Sequence, residues 1–90
     1  MTPAKFSLGR LMATPGVLEK VGINQLAQMV KRHQLGDWGE LDEEDRLVNQ
    51  IALRDEGRLM SVYTSSEGVT IWVITEWDRS VTTILLPEEY

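Results

Sequence analysis

Few side chains in this sequence are equipped for acid–base or nucleophilic chemistry. His33 is the only histidine, and there is no cysteine. An unperturbed imidazole is the one side chain that titrates near neutral pH, which makes His33 the natural candidate for a general base. Its helpers would come from the second half of the chain: the loop Asp78-Arg79-Ser80, and Thr82 just beyond it. Loops held between rigid strands often carry functional groups. If this loop folds back towards the end of the His33 segment, His33, Arg79 and Ser80 or Thr82 converge. Each group also has a purely structural reading. His33 closes an apolar stripe near a helix C-terminus, where positive charge suits the helix dipole. An Asp opening a turn beside a surface Arg is ordinary, and Ser80 lacks the G-x-S-x-G setting of an activated serine.

The stretch HQLGDWGELDEEDR concentrates that histidine, a Gly-Asp-Trp-Gly turn and six carboxylates within fourteen residues. The acidic run is explained by a helix start: Asp42 caps, and Glu43, Glu44 and Asp45 fill the first turn. In Gly36-Asp37-Trp38-Gly39, Asp37 can bond its own backbone while Trp38 anchors the turn on the core. Asp37 and Trp38 are therefore binding candidates with a bland alternative.

Much chemistry is excluded by what is missing. Without cysteine there are no disulfides and no thiolate sites, and one histidine is a poor basis for zinc. DEED lacks the alternating spacing of a calcium loop, and neither a P-loop nor G-x-G-x-x-G occurs, so no cofactor is expected. Nine basic residues face fourteen acidic ones, a net charge of −5, which argues against general nucleic-acid binding. That balance fits a solubilised surface or a docking face for a basic protein. No apolar run is long enough for a membrane span, and the N-terminus lacks the features of a signal peptide, so a cytoplasmic protein is the default expectation.

Ninety residues make one domain with a single modest core. Residues 1–57 read as helical and 58–87 as strands. The first 22 residues suggest one or two short helical turns, with Thr14 capping and Pro15 at the first helical position. Over INQLAQMVKRHQLG, with Asn24 as cap, Leu26, Met29, Val30 and His33 fall at i, i+3, i+4 and i+7. A third helix runs from Asp42 to Gly57 with Leu47, Val48 and Ile51 as its inward stripe. RLMSVYT, VTIWVITE and VTTILLP then alternate with period two, with Pro87 ending the last strand at an edge. The expected fold is α+β, two to three N-terminal helices packed on a three-stranded antiparallel β-meander. Its second sheet face would leave Trp72, Ile74 and Ile84 or Leu86 as an exposed patch for a protein partner or a second copy. Trp77, Asp78 and Arg79 at the hairpin tip extend the list of binding candidates.

The segments RH-x-x-GDWGELDEEDR and IWVITE-x-DRSVTTILLPEEY carry a resemblance over roughly residues 8–90. The chain resembles a family of small uncharacterised bacterial proteins of plasmids, phages and integrating elements, termed plasmid-related proteins or restriction-enzyme subunits. The second label does not fit, since ninety residues hold no methyltransferase domain. The resemblance implies a mobile-element accessory protein acting by protein binding, inhibiting or modulating a host system such as a defence complex. A looser topological analogy, helices followed by a meander, links the chain to small ribonucleases of the barnase, colicin and RelE-like toxin group. There the candidates are His33, Arg58, Arg79, Ser80 and Thr82.

Overall fold

The computed structural model describes residues 3–90. Strand β1 (Arg10–Ala13) leads into helix α1 (Pro15–Lys20), α2 (Ile23–Gln34) and α3 (Glu43–Asp55). Strands β2 (Leu59–Thr64), β3 (Thr70–Thr75) and β4 (Val81–Leu85) follow, and a 3₁₀ turn (Pro87–Glu89) closes the chain. The class is α+β, but the sheet has four strands in the order β1-β4-β3-β2. β2, β3 and β4 form the expected antiparallel meander, and β1 lies parallel to β4 with Arg10 opposite Val81 and Ala13 opposite Ile84.

Two expectations fail with β1. Residues 10–13 are strand rather than helical turn, so the first 57 residues are not all helical. β4 is an inner strand, so Pro87 does not end an edge. Four residues are too few to show a period of their own, and the partner that stabilises them lies some seventy positions away. Gly9 makes the approach feasible: at φ +63°, a Cβ there would lie 2.3 Å from the Ser80 carbonyl oxygen.

Thr14 caps α1 with its hydroxyl, and Asp42 caps α3 by accepting the Asp45 N–H at 2.8 Å. α2 is capped by Gly22 rather than Asn24. Its stripe is as expected: Leu26, Met29, Val30 and His33 are its buried residues. The three aliphatics pack with Val17, Tyr63, Ile71, Val73 and Ile84 into the main core on one face of the sheet.

α3 departs from expectation. Leu47, Val48 and Ile51 are 60, 56 and 45 % exposed, and its buried residues are Asn49 and Ala52. The helix lies along the outer edge of β2. The Asn49 amide donates to the Met60 carbonyl at 2.7 Å and accepts the Met60 N–H at 3.2 Å. Further along that edge, Val62 donates to the Trp38 carbonyl and accepts from Glu40 N–H. Gly39, at φ +72°, makes this close passage; a Cβ there would lie 2.0 Å from the Val62 oxygen.

Candidate functional site

His33 is fully buried, its ring held edge-on between Phe6 at 5.2 Å and Trp38 at 5.6 Å between centroids. Nδ1 lies 2.5 Å from Ser61 Oγ, and Nε2 lies 2.9 Å from Thr75 Oγ1. Thr75 Oγ1 meets Thr82 Oγ1 at 2.7 Å, and Thr82 donates to the Leu8 carbonyl at 2.7 Å. A carbonyl only accepts, so the direction of each proton from Leu8 back to Nε2 follows. Thr82 donates to Leu8, Thr75 to Thr82, and His33 Nε2–H to Thr75. The relay thus places a proton on Nε2, and because burial keeps the ring neutral, Nδ1 is left to accept from Ser61, so both nitrogens are satisfied. Burial pushes the ring's pKa down to about 4.

The hairpin loop does approach this region, but without making an accessible site. Arg79, at φ +61°, stands 5.8 Å over the Phe6 ring and donates to the carbonyls of Ala52 at 2.8 Å and Gly57 at 2.5 Å. Its guanidinium thus satisfies carbonyls at the α3 C-terminus. Thr82 is buried in the relay with His33. Ser80 points its hydroxyl at Asp78 Oδ1 on the surface, and that bond holds the Asp78 carboxyl below its usual range. Trp77 is exposed on the same loop. Arg58 contacts the Tyr90 hydroxyl and pairs with Glu76 at 3.6 Å.

The Gly-Asp-Trp-Gly turn is held from all sides. Arg32 forks onto Asp37 at 2.7 and 3.2 Å, which lowers the Asp37 pKa, and the Gly39 N–H adds a third donor. The Arg32 guanidinium covers the Tyr63 ring at 4.6 Å, and Tyr63 donates its hydroxyl to the Asp37 carbonyl. Arg46 donates to the carbonyls of Gly39 and Leu41. Trp38 is buried beneath the turn. Trp38 thus serves as a buried anchor, while Asp37 stays exposed with its carboxylate engaged by Arg32 and the Gly39 N–H.

The remaining candidates meet on the sheet face opposite α2. A cleft of about 350 Å³ is lined by Leu41, Val48, Met60, Trp72, Ile74 and Tyr90 among others. Trp72 is half-buried because Tyr90 packs edge-on against it at 5.6 Å. Of the expected exposed patch, Ile74 is 3 % exposed and lies at the floor of the cleft, and Ile84 and Leu86 are buried in the helix-side core. Leu85 takes the place opposite Trp72. The sequence pointed to Trp72 and Ile74 and missed Leu41, Val48, Met60 and Tyr90. The alternation of LMSVYT could have marked Met60; nothing local marks the tail tyrosine.

Among the described residues, no three His, Asp or Glu side chains are grouped to hold a metal ion. None of their helices is long and apolar enough to cross a membrane. No family model matches the chain, and neither a curated protein nor a solved structure matches it.

Proposed function

We propose that this chain acts by binding another protein through the apolar surface that α3 shares with the open sheet face. One observation carries the reading. An amphipathic helix turns Leu47, Val48 and Ile51 outward, at 60, 56 and 45 % exposure, and Val48 also lines a cleft floored by Met60, Trp72 and Ile74. Apolar surface of this kind beside a polar rim marks interaction sites in soluble proteins. The rim is acidic: Glu43, Glu44 and Asp45 occupy the first turn of α3, and none of them forms an ion pair among the described residues. The partner surface that fits is aliphatic with basic residues at one end. The resemblance to plasmid, phage and integrating-element proteins supports an accessory role, with a component of a host system, such as a defence complex, as target.

A ribonuclease-like reading needs a base that reaches substrate. His33, sealed between two aromatic rings and bonded at both nitrogens, offers none.

The test is affinity capture from host cells with the wild-type chain and with Val48→Glu and Ile51→Glu. A partner retained by wild type and lost by both variants, with unchanged circular dichroism, is expected. Capture that is indifferent to both substitutions overturns the assignment of this surface.

A further inference from the structure

The two edges of the sheet are treated differently. β2 has the outer backbone groups of Met60 and Val62 occupied by Asn49 and by residues 38–40. β1 has no such cover. Arg10 and Thr14 donate their N–H groups inward, to Ser80 and Ile84 of the β4 side. By the alternation of a strand, the N–H and C=O groups of Leu11 and Ala13 point outward, and none has a partner among the described residues. Beside them, α2 overhangs a vacant strand position. A groove of about 260 Å³ runs between β1 and α2, lined by Leu11, Ala13, Ile23, Leu26, Ala27 and Val30. Leu11, Met12 and Ile23 are 51, 48 and 70 % exposed there.

We infer that this edge pairs with β1 of a second copy of the chain, antiparallel about a twofold axis at Met12. Leu11 then faces Ala13 of the partner and Ala13 faces its Leu11. These two pairs satisfy all the outward groups with four hydrogen bonds. The ladder is self-limiting: the next outward pair joins Gly9, which has positive φ, to Pro15, which has no N–H. The charges match in the same register. Arg10, which has no ion pair among the described residues, falls opposite Thr14 of the partner. That Thr14 hydroxyl donates to Glu89 at 2.5 Å, which places a carboxylate within the reach of the arginine. On the other face the axis brings the two α2 helices together, covering Leu11 and Ile23.

The test is the solution mass of the full chain against concentration, by light scattering or sedimentation. Wild type is expected to approach twice the 10.2 kDa chain mass at high micromolar concentration. Leu11→Pro removes an outward donor without touching a bond between β1 and β4, and Met12→Lys sets two ammonium groups face to face on the axis. Each is expected to raise the dissociation constant by about tenfold or more, with the thermal midpoint of the dilute monomer kept in at least Met12→Lys. A wild type that stays at one chain mass overturns the inference and leaves the edge to a strand of a different protein. A dimer that survives both substitutions overturns it too, since the contact then lies on another face.

Discussion

His33 Nε2 donates to Thr75 Oγ1 at 2.9 Å, and that single bond joins α2 to the middle of the sheet. It exists only while the imidazole is buried, and burial holds the ring neutral down to about pH 4. In the unfolded chain the ring takes up a proton near its ordinary value of about 6.5. The folded pKa is depressed, so this contribution is complete above the unfolded value and is lost as pH falls from there towards the folded one. Linkage over that window amounts to roughly 3 kcal/mol. Denaturant unfolding should show stability dropping between about pH 6.5 and 4. His33→Gln should be less stable at neutral pH by about 1–3 kcal/mol and should lose most of the slope in that window. An equally steep profile in the variant would exclude His33 as its source.

Arg79 is expected to matter for stability. Its fork serves the Ala52 and Gly57 carbonyls at the end of α3, a geometry that lysine cannot copy. Arg79→Ala should cost about 1.5–3 kcal/mol, and Arg79→Lys should recover only part of it. Thermal unfolding of the three proteins side by side decides the matter.

Asn49 is a polar residue whose loss should be expensive. Replacing it with alanine leaves the Met60 N–H and C=O without partners on a covered edge, at a cost of about 1–3 kcal/mol. Hydrogen exchange should show the Met60 amide losing protection ahead of Ile71 and Val73 in the sheet centre. Uniform protection across the sheet would contradict this.

Val48→Glu and Ile51→Glu should shift unfolding free energy by no more than about 0.5 kcal/mol, as surface substitutions do. Had these residues formed the inward stripe, each would cost several times that. Urea unfolding separates the two outcomes, and the same proteins serve the capture experiment.

These elements also explain how far the sequence could be read. α2 was legible because Leu26, Met29, Val30 and His33 form a local period that the core then uses. Strands β2 to β4 were legible for the same reason, with alternation over five or six residues. β1 was not, because four residues owe their conformation to a partner brought alongside by the fold. α3 was misread because periodicity reveals that a helix has an apolar side but not which way it faces. Asn49 is what turns it, by matching the backbone of Met60, and no pattern rule ranks an asparagine above three aliphatics. At the candidate site, strand parity gave the face of Trp72 and Ile74 but not the burial of Ile74, and Leu41 and Tyr90 come from outside the strands. For the loop Asp78–Ser80, the approach to α3 rests on Arg79 in a left-handed conformation rarely adopted outside glycine, asparagine and aspartate.

The unequal edges of the sheet set a limit on assembly. A strand edge that is open at both ends of a sheet can recruit copies without end, and fibres are the result. Here one edge is open and the other is occupied by Asn49 and the Gly39 passage. Pairing through the open edge consumes it in both copies, so growth terminates at two. In such a pair the Gly-Asp-Trp-Gly turn and Asn49 together act as the stopper against polymerisation.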